Sequence, residues 1–127
     1  MAGRLRNHRL PKATKPELIL KEILVKNKIK FKKNYKLCYD IRRKLNRYYD
    51  FYLSDYNILV EVDGDYFHGN PDKFTKLNEM QLKNQENDKF KNELAILYNI
   101  PLFRFWESDI IKGGFEKKFL KKINGKS

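Results

Sequence analysis

The chain carries a single cysteine, Cys38, and that scarcity removes two classes at once. One thiol closes no internal disulfide and builds no cysteine-based zinc site, so a reducing compartment is expected. No apolar run approaches the roughly 20 residues that span a bilayer, so no membrane association is expected. The N-terminus has arginines but no apolar segment behind them, so it does not read as a secretory signal, and a cytoplasmic location is expected. Acids are scarce as well: 16 Asp and Glu stand against 28 Lys and Arg, a formal net charge of +12. An excess of that size points to a polyanionic partner, nucleic acid before an anionic membrane surface. Ribosomal-type proteins share this balance, so charge narrows the partner without choosing a function. The hydrophobic fraction of 41% over 127 residues supports one core and one compact domain.

Residues 1–13 read as a basic arm, with Arg4, Arg6, Arg9 and Lys12 in a stretch too polar to pack. It is either a solvated tail or a phosphate contact. Thr14-Lys15-Pro16-Glu17 fits a helix start, with Thr14 as cap, Pro16 in the first turn and Glu17 reaching back. Ile19, Leu20, Ile23 and Leu24 then form one apolar stripe. Ile29, Phe31, Tyr35 and Leu37 alternate with lysines, the pattern of a strand with one wet, basic face. Residues 38–47 are ambiguous, and "RRKLNR" reads as an exposed connection or a short helix.

Residues 48–53 and 56–63 read as a hairpin turning at Ser54-Asp55. The pattern is helical over 74–98, with Phe90, Leu94, Leu97 and Tyr98 at core spacing. A strand over 102–106 and an amphipathic helix over 114–123 follow. The order is α-β-β-β-α-β-α. The span from Val60 to Phe105 has the length of a right-handed crossover between parallel strands. The expected fold class is α/β: a mixed sheet flanked by helices, as residues 14–123, between the arm and a basic tail at 124–127.

The stretch "NILVEVDGDYFHGN" gathers acids at the end of the most apolar strand of a basic protein. Strand alternation puts Leu59, Glu61 and Asp63 on one face and Ile58, Val60 and Val62 on the other. Hairpin pairing brings Asp50 near Val60 or its neighbours. An acid in an aromatic strand is costly unless something positive meets it, and crowded carboxylates disfavour each other's ionisation. A divalent cation resolves that crowding, and oxygen ligands suit Mg²⁺ or Mn²⁺. Cation and basic surface together point to phosphodiester hydrolysis; salt bridges to nearby lysines are the plainer alternative. His68 can fold back over the strand end as general acid or base. Asn84 and Asp88 share one helix face and lean toward the same place or toward solvent. Glu17 is a capping residue, with room to join the acids.

The series "YYDFYLSDYNILVEVDGDYFHGNP…NQENDKF…LYNIPLFRFWESDI" resembles the very-short-patch repair endonuclease branch of the PD-(D/E)XK, restriction-endonuclease-like superfamily. The phage-associated EDxHD homing endonucleases are similar. The resemblance covers about residues 14–110 and implies a metal-dependent DNA endonuclease in which a divalent cation activates water. It implies that Asp50 is the central metal-binding aspartate and the Val62 carbonyl a second ligand. Glu61-Val62-Asp63 resembles the superfamily's E-x-K element, with Asp63 where a lysine would stand. The resemblance also makes Asp63, at the position of a catalytic histidine of the repair enzymes, and His68, Asn84, Asp88 and Glu17 members of the catalytic set, with Glu61 beside Asp50 at the metal. Tyr66 and Phe67 match an aromatic pair that such enzymes wedge into DNA; simple loop packing is the alternative. Asp65 stands at a cysteine position of the repair enzymes' zinc site, so no zinc is expected. Lys30, Lys32, Lys33, Arg42, Arg43 and Lys44 would join the arm on phosphates. DNA is the expected partner of a monomer or homodimer, without a small-molecule cofactor, in a bacterial cell if the chain is phage-encoded. A homing-type or nicking enzyme is the implied activity. A Holliday-junction or other structure-specific nuclease, and a non-catalytic DNA-binding protein on a degenerate nuclease fold, are the rivals.

Overall fold

The computed structural model describes residues 13–125; Arg4, Arg6, Arg9 and Lys12 of the basic arm lie outside them. Helix α1 spans Lys15–Lys26, with Pro16 in its first turn. The Glu17 carboxylate accepts the Thr14 amide at 3.4 Å, as the capping pattern requires. Strands β1 (Lys32–Asp40), β2 (Leu45–Leu53) and β3 (Ile58–Asp63) form an antiparallel meander. Helix α2 (Glu79–Leu97) crosses over to β4 (Leu102–Trp106), which lies parallel to β3. A short α3 (Glu107–Ile111) and α4 (Phe115–Asn124) complete the chain. The sheet order is β1-β2-β3-β4. It is a four-stranded mixed sheet flanked by helices, the single-domain α/β arrangement expected, and consistent with a restriction-endonuclease-like fold.

The two faces of the sheet are covered differently. Leu20, Ile23 and Leu24 of α1 pack with Phe51, Leu53, Ile58 and Val60 of the sheet, and with Phe115, Phe119 and Ile123 of α4. That is an ordinary apolar core, where removing most of a buried Leu side chain costs about 2–5 kcal/mol. On the opposite face, among the described residues, only Tyr49, Leu59 and Ala95 are buried hydrophobics, with Tyr35, Leu37, Tyr52, Ile100 and Leu102 packed around them. The buried residues of α2 are Gln81 and Ala95. Of the stripe expected to be its core face, Leu97 is 75% exposed and Tyr98 is exposed as well. Phe90 lies under the Arg43 guanidinium at 3.4 Å instead of in the core. The α2 side turned to the sheet carries amides, an acid and a lysine, which is why apolar periodicity misjudged it.

Two other boundaries differ from the sequence reading. The ambiguous residues 38–47 resolve into the end of β1 at Asp40, a largely exposed turn over 41–44, which is the exposed connection read in "RRKLNR" but shorter, and β2 from Leu45; there is no helix. The buried Arg47–Asp40 pair, at 3.1 Å, ties this hairpin together, and Arg47 also donates to Asn87 on α2. Helix α2 starts at Glu79, not near residue 74, because Asn78 accepts the Gln81 amide at 2.8 Å while Gln81 accepts the Asn78 amide at 2.9 Å. That reciprocal cap outcompetes continuation of the helix upstream.

The loop from Gly64 to Asn78 turns tightly over the end of β3. Its left-handed residue is Gly69, at φ +64, where a Cβ would lie 2.5 Å from Leu77. Gly69→Ala should therefore destabilise the fold by about 1–3 kcal/mol through backbone strain. Chemical denaturation of the two proteins would read this directly, and an unchanged midpoint would contradict the strain.

Candidate active site

Asp50 and Glu61 meet where the β2–β3 ladder opens. The regular pairs run Leu53–Ile58, Tyr52–Leu59 and Phe51–Val60. At the next position side chains take over from backbone: the Val62 amide donates to Asp50 Oδ2 at 2.7 Å, and the Asp50 amide donates to Glu61 Oε1 at 2.8 Å. Asn34, with φ 49, lies across from Asp50 on β1, between the regular Lys33–Phe51 and Tyr35–Tyr49 pairs. Asp50 thus meets Glu61, one of the two acids that the sequence placed with it, while Asp63 is held by Arg104.

The charges around these acids are unevenly matched. Glu61 is 5% exposed, and Lys91 of α2 meets its Oε2 at 2.7 Å. Asp63 is equally buried and is gripped by Arg104 Nη1 at 3.0 and 3.3 Å. Glu17 pairs with Lys33 at 3.2 Å. Asp50 alone of these acids has no cation within salt-bridge distance among the described residues. Burial and the Glu61 charge push its carboxyl up to about 7, against the pull of the Val62 amide. Burial likewise raises Asp63, over the opposing charges of Arg104 and His68.

A second group sits beside the first. His68 Nδ1 is 2.7 Å from Asp88 Oδ2 and 4.0 Å from Asp63 Oδ1. Ligating atoms of Asp63, His68 and Asp88 all fall within 4.8 Å of one another, a spacing that a metal ion would accept. Arg104, however, already lies 3.5 Å from Asp88 Oδ1 as well as on Asp63. The guanidinium supplies the positive charge there, so the group is better suited to holding a proton than a cation. The Asp50 carboxylate, without a cation within salt-bridge distance among the described residues, and the adjoining Val62 backbone are the other groups here that could hold a divalent ion.

Burial lowers the His68 pKa, but the Asp88 hydrogen bond and the Asp63 charge outweigh it and the net shift is upward. A raised imidazole value means that the pair contributes stability fully below the ordinary 6.5, lost as pH rises through the folded-state value. Asp88→Asn should lower the His68 pKa and flatten that dependence. Proton NMR titration of the ring would show it; an unmoved midpoint would contradict the pairing.

Three amide side chains of α2 hold the loop that carries His68. Gln81 Nε2 donates to the Tyr66 carbonyl at 2.6 Å, Asn84 Nδ2 to that of Phe67 at 2.9 Å, and Gln85 Nε2 to that of His68 at 2.9 Å. Asn84 is thus neither idle on a polar face nor in contact with the acids. Tyr66 and Phe67 remain exposed, edge-to-face with each other at 5.4 Å. Asp65 is buried and satisfied by Lys73 at 2.8 Å, Asn70 at 3.1 Å and Ser108 at 3.2 Å. Lys30, Lys32, Arg42 and Lys44 are exposed. Arg43 is half-buried and engaged with Asp40 at 3.2 Å, and Lys33 with Glu17.

Sequence reasoning missed Lys91, Arg104, Gln81 and Gln85. Lys91 follows Asp88 by three residues on one helix, so shared-face spacing was a usable signal. Arg104 was legible only through the parallel register that sets it beside Glu61.

No family model matches the chain. It is 28% identical over 110 residues to a protein of Haemophilus parainfluenzae named Type II nicking enzyme V.HpaIIP, covering 80% of this chain and 73% of that one. No helix among the described residues is long and apolar enough to cross a membrane.

Proposed function

We propose that this chain is a metal-dependent DNA endonuclease of the very-short-patch-repair type within the restriction-endonuclease-like superfamily. The observation that carries the reading is Asp50, an acid with no cation within salt-bridge distance among the described residues of a protein of net charge +12. Such a carboxylate suits a hard divalent ion, Mg²⁺ or Mn²⁺, with the Val62 carbonyl as companion. Glu61 would join through spare lone pairs while still holding the Asp50 amide. When bound, the ion would polarise the phosphate and make water a better nucleophile.

The remaining work falls to side chains. Asp88 holds His68 by Nδ1, and Nε2 has no partner among the described residues, so it is available to move a proton at the reacting phosphate. Tyr66 and Phe67 present an aromatic edge suited to unstacking a base step. Lys30, Lys32, Arg42 and Lys44, with the arginines of the arm, would neutralise phosphates. Glu17 pairs with Lys33 and adds to the negative field at Asp50. Zinc has no part in this reading, since the acid that stands at a zinc ligand's position is already satisfied.

The relative's name favours nicking over double-strand cleavage. Incubation with supercoiled plasmid in Mg²⁺ should yield open circles before linear product, and EDTA should stop it. An intact plasmid across Mg²⁺ and Mn²⁺ would contradict the reading. Duplex affinity measured in Ca²⁺ should fall on the order of 100-fold between about 50 and 200 mM salt, because each neutralised phosphate releases counterions. A flat response would remove the basic surface from DNA docking.

A further inference from the structure

We propose that Arg104 is a positioning residue of this centre, dividing its guanidinium between Asp63 and Asp88 so that Asp88 is held against His68 Nδ1. The inference rests on the nuclease reading above but is separable from it by experiment.

The geometry is specific. Arg104 Nη1 lies 3.0 Å from Asp63 Oδ1 and 3.5 Å from Asp88 Oδ1. Its Nη2 donates to the Asp88 backbone carbonyl at 3.2 Å, and its Nε donates to Asn92 Oδ1 at 2.9 Å. One rigid fork therefore touches α2 at three points and β3 at Asp63 and, at 3.9 Å, at Glu61 Oε2. The two oxygens of Asp88 are split: Oδ1 faces Arg104, and Oδ2 faces His68 at 2.7 Å. A carboxylate fixed at one oxygen cannot rotate freely at the other. The imidazole is thereby kept with Nδ1 toward Asp88 and Nε2 turned away, which fixes its tautomer when neutral. Arg104 is brought there by strand register, since the parallel pairing sets it beside Glu61, two residues before Asp63.

Charge alone does not describe this role. Lysine would keep the positive charge but has no planar fork to span two carboxylates and a carbonyl. Arg104→Lys is therefore the informative variant, and it avoids stranding buried acids without a cation. It should fold and should bind duplex DNA in Ca²⁺ with unchanged affinity. Its single-turnover cleavage rate at saturating DNA should fall by about tenfold or more. Nitrogen NMR of His68 at high pH should show the Nδ1–H tautomer in the parent protein and a mixture in the variant. Adding Asp88→Asn to Arg104→Lys should cost less than the two single losses multiplied, as expected for residues acting through one contact.

A variant with the parent's rate and the parent's tautomer overturns the proposal. So does a slowed variant whose tautomer is unchanged, because the loss then comes from elsewhere. A parent protein that cuts no DNA would overturn the nuclease reading, while the tautomer measurement would still decide for or against Arg104.

Discussion

Asp50→Asn is expected to abolish cleavage, leave duplex binding nearly intact and raise thermal stability at the same time. The three effects share one cause. Asparagine keeps an oxygen to accept the Val62 amide but removes a charge that burial and Glu61 oppose. The Asp50 carboxyl, pushed up from 3.8 to about 7, binds a proton in the folded protein that the unfolded chain has released. Stability therefore falls as pH rises from about 4 toward 7, and the full penalty is present above 7. The variant escapes it, so its Tm should exceed the parent's by about 4 °C or more at pH 8, and by less near pH 4. Mg²⁺ should narrow the gap at pH 8 by stabilising the parent alone. Differential scanning calorimetry with and without Mg²⁺ reads this independently of activity. A variant that still cuts, or a parent indifferent to Mg²⁺, would sink the assignment of the cation to Asp50.

His68→Ala should slow the chemical step by about 100-fold or more, the usual scale for losing a general acid–base group. Mg²⁺ affinity and DNA affinity should change little, because Asp50 and the basic surface are untouched. Single-turnover cleavage on a substrate the parent cuts, beside binding titrations in Ca²⁺, separates these quantities. Unchanged chemistry would return His68 to a structural role in the loop. A large loss of metal binding would instead make it a ligand, with Asp63 the next candidate for the proton.

Much of the frame was readable from local pattern. Strand β4 lies over 102–106 as expected, and α1 begins where Thr14, Pro16 and Glu17 set it. The face alternation of β3 holds too: Val60 faces the α1–α4 core, while Glu61 and Asp63 face Lys91 and Arg104. Elements bounded by polar reciprocity were harder. The Asn78–Gln81 cap and the Arg47–Asp40 pair set boundaries that apolar periodicity does not register. The α2 stripe was misjudged for a related reason: a helix that faces a site with Asp88 and Lys91 carries its spare leucines outward.

The acids of the site were legible because carboxylates at a strand end conflict with the rest of the sequence. Their cations were not. Lys91 and Arg104 are two of 28 basic residues, and only tertiary register distinguishes them from a solvated majority. Gln81, Asn84 and Gln85 likewise look like an ordinary polar face until the loop they hold is laid against them.

Anomalous scattering from crystals grown with duplex DNA and Mn²⁺ tests the central claim most directly. A peak is expected on the Asp50 carboxylate beside the Val62 carbonyl, with Arg104 still between Asp63 and Asp88. A peak held by Asp63, His68 and Asp88, with Arg104 displaced and Asp50 bare, would contradict it.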